Sequence, residues 1–197
     1  MRKIKFSREE IRDLIKAWLA ISIAFGIVLG TAKIWSVDFI YSFILAALTV
    51  GVGFLLHELA HKIVAIRYGL WAEFRAWNIM LVFMIVLALL TGWVVAAPGA
   101  VFILGQVGIV RNGRISVAGP IVNLILAALF LPLLIFSTGL LQTIGQYGFA
   151  INTWLALFNM IPVWNLDGKK IFIWNKAAYF TVVGIGIGFM VLNAWVF

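Results

Sequence analysis

Six apolar runs separated by short loops limit what this chain can fold into. A helix that crosses a bilayer needs about 20 mainly apolar residues, and the candidate runs are residues 17–31, 39–66, 79–104, 117–136, 140–164 and 177–197. Only 11% of the residues are charged, against roughly 25% in soluble domains. We therefore expect an all-α polytopic membrane protein, a bundle of five to six transmembrane helices that lies in the lipid bilayer.

Charge and cysteine content narrow the class of partner. The apolar runs leave almost no room for a soluble domain, so residues 1–197 are predicted to form a single integral-membrane domain. The net charge of +8 suits cytoplasmic loops of a membrane protein better than a nucleic-acid surface, and no nucleic-acid partner is predicted. The chain has no cysteine, which excludes disulfide and thiolate chemistry.

Basic residues predict which side of the membrane each loop faces, because cytoplasmic loops carry the excess of Lys and Arg. With the N-terminus in the cytoplasm, six alternating spans would put the lysines that follow residue 164 outside. If residues 79–116 enter and return to the same side, Lys33 is the one basic residue left outside. Asn112-Gly113 between β-branched runs indicates a hairpin turn, so a re-entrant β-hairpin is predicted here. An ordinary loop with a tight turn outside the membrane is the alternative.

The first helix is predicted to begin near the membrane interface. Ser7 and Glu10 have the spacing of a capping box, and Phe6 and Ile11 that of a hydrophobic staple. Glu10 is grouped with the other acids expected at the interface, which are Glu9, Asp13, Asp38 and Glu73.

The segment His57-Glu58-Leu59-Ala60-His61 places ionisable side chains inside the second apolar run. Such groups are costly at membrane depth and usually mark a functional site. Residues four apart share a helix face, so His57 and His61 can bind one ion, as in the H-E-x-x-H zinc motif. Glu58 lies about 100° around the helix and can act as general base toward a water that zinc activates. A chance pattern is disfavoured because the chain has no other histidine.

A catalytic zinc site uses three protein ligands and keeps one position open. The chain has neither cysteine nor a third histidine, so the third ligand must be an oxygen donor. Asp167 is the candidate, because the predicted topology puts it on the side of His61 and the turn at 165–168 would hold its carboxylate. A plain Asp-Gly turn at the membrane face is the alternative. One Zn²⁺ per chain is expected.

Two asparagines are candidates for contacts with the substrate. Asn159 precedes Asp167 by about two helical turns, and its amide can hydrogen-bond a substrate carbonyl or the developing oxyanion. Asn123 allows the same interpretation. For both, a hydrogen bond between helices is the alternative, and the nearby Gly119-Pro120 is interpreted as the start of a helix.

Three motifs in this order resemble the site-2 protease family of intramembrane metalloproteases, above all its small archaeal and bacterial members. They are H-E-L-A-H at 57–61, A-G-P-I-V-N at 118–123 and N-M-I-P-V-W-N-L-D-G at 159–168. The resemblance covers about residues 39–170, the expected catalytic core. It implies that His57, His61 and Asp167 bind zinc, that Glu58 is the catalytic acid/base and that Asn159 assists at the substrate carbonyl.

The resemblance also implies an activity. Members of the family cleave transmembrane segments of membrane proteins, so the expected substrate is a transmembrane protein and the expected process is regulated intramembrane proteolysis. The expected location is the cell membrane, with the N-terminus and the active-site side cytoplasmic. The chain departs from many members in having no room for a PDZ or CBS domain.

Two other functions remain open at this point. In a divalent-metal transporter, the histidines and Asp167 would form a transit site, which requires a polar path to both sides of the membrane. In a non-catalytic zinc-binding membrane protein, the ion would only stabilise the fold. Glu58 distinguishes these alternatives, because a hydrolase needs this side chain free beside the metal whereas a transporter can use it as a ligand.

Overall fold

The computed structural model describes residues 4–30, 36–94 and 98–196, which are mostly helical. Lys33 and the last residues of the first and sixth apolar runs lie outside these ranges. The helices are α1 (Arg8–Leu29), α2 (Val37–Ala46), α3 (Val52–Arg67), α4 (Asn78–Thr91), α5 (Ile109–Phe136), α6 (Gly139–Asn159), α7 (Asp167–Trp174) and α8 (Lys176–Val196). In the described ranges the strands β1 (Trp71–Ala76) and β2 (Gly99–Leu104) form a two-stranded sheet.

Helix α1 begins with the predicted N-cap, since Ser7 Oγ accepts a hydrogen bond from the Glu10 amide at 3.0 Å. The other half of the capping box is absent, because the Glu10 carboxylate turns into the bundle. There it pairs with Lys62 and accepts a hydrogen bond from the backbone amide of Phe74. Glu10, grouped with the interfacial acids from the sequence, is fully buried.

Helices α2 and α3 form one continuous helix, Val37–Arg67, interrupted by a π-helical turn at Ala47–Gly51. Helix α2 packs on α1, whereas α3 packs chiefly on α5. Among the described residues, three helices are long and apolar enough to cross a membrane: Val37–Arg67, Ile109–Phe136 and Lys176–Trp195. The predicted helical fold is confirmed, and these three helices agree with a membrane protein, while five to six spans remain a prediction.

The sheet is not where the sequence predicted it. Strands β1 and β2 pair antiparallel, from Trp71 opposite Leu104 to Ala76 opposite Gly99. The predicted hairpin turn at Asn112-Gly113 is wrong, because both residues lie within α5. The physical reason is a close approach of two helices: a Cβ at Gly113 would lie 2.3 Å from the Cβ of Trp174.

Helix α4 lies between the two strands along the chain, and the residues that precede and follow this segment lie side by side. The Trp77 amide donates a hydrogen bond to the Pro98 carbonyl at 3.0 Å, which joins the two ends of this segment. A helix of 14 residues is roughly 21 Å long, shorter than the hydrocarbon core of about 30 Å. This geometry agrees with the prediction that residues 79–116 enter the membrane and return, but β2 already brings the chain back by Leu104. The side of the membrane on which this segment lies remains a prediction.

Candidate metal centre

His57, His61 and Asp167 come together at the contact of α3 with the start of α7. The Asp167 Oδ2 lies 3.3 Å from His57 Nε2 and 3.0 Å from His61 Nε2. All three side chains are buried, and one possible ligand atom from each lies within 4.8 Å of the others. Ligand atoms around a tetrahedral zinc ion lie about 3.3 Å apart, given bonds near 2.0–2.1 Å. The donor set and its spacing therefore fit a zinc ion.

Helix α5 fixes the orientation of both imidazoles. The Nδ1 of His57 lies 2.6 Å from Asn123 Oδ1, and the Nδ1 of His61 lies 2.8 Å from the Ile115 carbonyl oxygen. Both partners are acceptors, so each Nδ1 carries the proton and donates. Each Nε2 then keeps its lone pair toward Asp167, which is the tautomer that a metal ligand needs.

Asn123 is part of a buried network with every amide atom satisfied. Its Nδ2 donates to the Gly53 carbonyl at 3.2 Å and to Asn152 Oδ1 at 3.0 Å, and Asn152 Nδ2 donates to the Gly148 carbonyl at 2.9 Å. These donors assign Oδ1 of Asn123 as the atom that faces His57. Of the two interpretations from sequence, the hydrogen bond between helices holds, and the contact with His57 adds a function that the sequence did not reveal.

Gly119 leaves the space in which the two imidazoles meet. A Cβ at this position would lie 2.5 Å from His57 Nε2 and 2.6 Å from His61 Cε1. The interpretation of Gly119-Pro120 as the start of a helix is wrong, because both residues lie in the interior of α5. The glycine provides a cradle for the ligand atoms, which is a second reason why the site fits a metal.

Glu58 lies beside the three ligands and contacts the sheet. Among the described residues, the group that could hold an ion consists of His57, His61 and Asp167. The Glu58 Oε2 accepts a hydrogen bond from the Val101 amide of β2 at 3.1 Å, and the side chain is buried. A carboxylate in this position would be available for proton transfer beside an ion held by these three residues.

The segment between α6 and α7 positions Asp167. Asp167 is the first residue of α7, and the N-terminus of a helix stabilises a negative charge. Burial raises the pKa of the Asp167 carboxyl, but His61 and His57 beside it outweigh burial and hold that pKa well below its usual range. Gly168 permits a tight approach to the end of α6, since a Cβ there would lie 2.0 Å from the Met160 carbonyl oxygen.

Asn159 is the last residue of α6. Its Nδ2 donates a hydrogen bond to the Leu155 carbonyl of the same helix at 3.0 Å. The side chain is half-buried, and its predicted contact with a substrate carbonyl stays a prediction.

The comparison with known proteins agrees with this geometry. The chain is 41% identical over 194 residues, 96% of its own length and 97% of the relative's, to the "Putative zinc metalloprotease MJ0611" of Methanocaldococcus jannaschii. No protein-family model and no solved structure matches the chain. Identity of this extent across nearly the whole of both chains shows common family membership. The chain belongs to the site-2 protease family of zinc metalloproteases, as a protein of the small archaeal type.

Proposed function

We propose that this protein is an intramembrane zinc metalloprotease that hydrolyses peptide bonds in transmembrane segments of other membrane proteins. The observation that carries the proposal is the convergence of His57 Nε2, His61 Nε2 and Asp167 Oδ2. Two of these ligands lie on Val37–Arg67, a helix long and apolar enough to cross a membrane. A hydrolytic centre on such a helix favours substrates that are themselves in the bilayer.

Each residue has a distinct task in this reaction. When bound, zinc would polarise the scissile carbonyl and increase the acidity of water. Glu58 accepts a proton from the attacking water, whose oxygen forms the new bond to the carbonyl carbon, and delivers that proton to the leaving nitrogen as the carbon–nitrogen bond breaks. Asn123 and the Ile115 carbonyl hold the two imidazoles in register. Asn159 supplies an amide donor to the carbonyl oxygen as its negative charge develops.

The outer edge of β2, on which the Val101 amide donates to Glu58, is the proposed docking position for an unwound substrate. The outer edge of β1 is covered, because Glu10 and Asp13 of α1 accept the amides of Phe74 and Ala76. Strand β2 instead has its outer edge beside Glu58. An extended segment that adds to this edge would gain backbone hydrogen bonds and would lie next to the acid/base.

The proposed location is the cell membrane, with the N-terminus and the site on the cytoplasmic side. Basic residues lie at the ends of α5 and α7 that are nearest to the site. An excess of basic residues is typical of cytoplasmic loops. A transporter is less favoured, because Glu58 bonds to a strand instead of joining the ligand group. The proposed ion is one Zn²⁺ per chain.

The decisive experiment measures zinc content and cleavage of a panel of single-span membrane proteins by the purified protein. Glu58→Gln should bind zinc as wild type does and should lose cleavage. Zinc-loaded wild-type protein that cleaves no member of the panel, or a Glu58→Gln variant with full activity, would contradict the proposal.

A further inference from the structure

Outside the metal centre, Glu10 of α1 and Lys62 of α3 form an ion pair in the interior of the bundle. Their exposed fractions are 0% and 1%. The Lys62 ammonium also donates to the Lys5 carbonyl at 2.8 Å and lies 3.9 Å from the centre of the Phe6 ring. Apolar side chains of similar size often stabilise such a position equally well. A buried ion pair here therefore needs an explanation besides stability.

The Glu10 carboxylate connects Lys62 to the sheet. Its Oε2 binds the ammonium, and its Oε1 accepts the Phe74 amide of β1 at 3.0 Å. Phe74 lies directly opposite Val101 of β2. Facing residues of an antiparallel pair either exchange both hydrogen bonds or direct both amides outward. Phe74 and Val101 direct theirs outward, since the Val101 amide donates to Glu58.

These contacts close a ring that begins and ends on α3. It runs from Lys62 through Glu10, Phe74 and Val101 to Glu58. Glu58 precedes Lys62 by four residues, about one helical turn. Because Glu10 holds Phe74 of β1 and Phe74 pairs with Val101 of β2, this contact helps to determine where the Val101 amide meets the Glu58 carboxylate.

We propose that Glu10 is a positioning residue for Glu58, acting through the facing residues Phe74 and Val101, and that Lys62 compensates the buried charge of the Glu10 carboxylate. The kinetic consequence rests on the protease function proposed above. None of the hydrogen bonds in this ring joins Glu10 to a metal ligand. Loss of the Glu10 carboxylate should therefore disturb proton transfer and leave zinc binding intact.

A purely structural role for Glu10 leads to a different expectation. If the pair only attached α1 to the bundle, substitutions would lower the folded fraction. The kcat of the protein that remains folded and zinc-loaded would then not depend on whether residue 10 can accept the Phe74 amide.

Matched double variants separate the two roles. In each, Lys62→Met removes the ammonium, so that no unpaired charge stays buried. Glu10→Gln keeps a side-chain oxygen for the Phe74 amide, whereas Glu10→Leu keeps the volume and offers no acceptor. Glu10→Asn replaces the leucine variant if that protein does not fold, because its amide is one methylene too short to reach Phe74. Lys16→Met is the control. It removes a more exposed ion pair within α1, in which Lys16 Nζ lies 3.4 Å from Asp13 Oδ1.

Zinc content, kcat and KM, and deuterium exchange at the Val101 amide are measured on folded protein. The glutamine variant and the Lys16→Met control should retain wild-type kcat within about threefold, whereas the variant without an acceptor should lose about tenfold or more at unchanged KM and zinc content. Its Val101 amide should exchange about tenfold faster or more. Equal kcat and equal exchange in the matched variants would overturn the proposal.

The exchange measurement keeps this proposal separate from the protease function. If zinc-loaded wild-type protein cleaves nothing, the proposed function fails. Faster exchange at Val101 in the variant without an acceptor would still support the positioning of the strand by Glu10. Unchanged exchange would overturn it whether or not the protein is a protease.

Discussion

Gly119 of α5 faces His57 of α3 so closely that a Cβ at position 119 would lie 2.5 Å from the Nε2 that faces Asp167. The first prediction follows from this contact. Gly119→Ala should displace the imidazole and lower zinc affinity by about tenfold or more, on the scale seen when the surroundings of metal ligands are altered. Competition with a chromophoric chelator measures the affinity.

Gly184→Ala in α8 is the matched control for this substitution, because a Cβ there has nothing within 4 Å. It should leave zinc affinity at the wild-type value. Wild-type affinity in Gly119→Ala as well would show that the imidazoles do not need the space at residue 119.

Asn123 is predicted to support zinc binding through His57. Asn123→Leu removes the acceptor at 2.6 Å from Nδ1, so the ring loses the contact that fixes its tautomer. Zinc affinity should fall by about 10- to 100-fold. Zinc titration of the purified variant measures this loss, and unchanged affinity would show that His57 does not need the Asn123 acceptor.

Asn159 is predicted to affect catalysis without affecting zinc binding. Its amide bonds to the Leu155 carbonyl of its own helix, and the proposed partner is a substrate carbonyl. Asn159→Ala should lower kcat by about 100- to 1000-fold, the loss typical of an oxyanion donor. Metal analysis should find the same zinc content as in wild type, and a kcat close to wild type would remove Asn159 from the mechanism.

Zinc is predicted to stabilise the folded protein through Asp167. Excess zinc at 100 times its Kd adds about 2.7 kcal/mol to the free energy of unfolding. The unfolding temperature in detergent should therefore rise when zinc is added to chelator-treated wild type. Asp167→Ala should lose most of this rise, because one of three ligands is missing. An equal rise in both proteins would indicate that zinc binds elsewhere.

The predicted orientation can be tested with single cysteines, since the chain has none of its own. Cysteines at the exposed positions Arg114 and Lys169 should react with an impermeant maleimide only from the cytoplasmic face of membrane vesicles. A cysteine at Lys33 should react only from the opposite face. Labelling of Lys169→Cys and Lys33→Cys from the same face would contradict the predicted orientation.

Part of the metal centre could be predicted from the sequence because its two histidines are close together along the chain. His57 and His61 are one helical turn apart, so the helix alone places both on one face. Asp167 was reached by excluding other ligand types, and the structure brings it to 3.0 Å from His61. The Asn123 contact could not be derived, because it depends on how α5 packs against α3.

The sheet was misplaced for a related reason. The Asn-Gly pair at 112–113 predicts a turn from local preference, yet packing against Trp174 keeps Gly113 in a helix. Strands β1 and β2 are separated along the chain by α4, so their pairing depends on contacts that a local pattern does not contain. The same holds for the Glu10–Lys62 pair, whose residues are distant in sequence.

The π-helical turn at Ala47–Gly51 determines the direction in which the side chains of α3 point around the helix axis. One inserted residue advances a helix by about 100°, and π turns of this kind often occur near functional sites. The half before the turn faces α1, and the half after it turns His57 and His61 toward α5. A single-residue deletion in this turn would swing both histidines away from Asp167 while every residue of the motif remained in the chain.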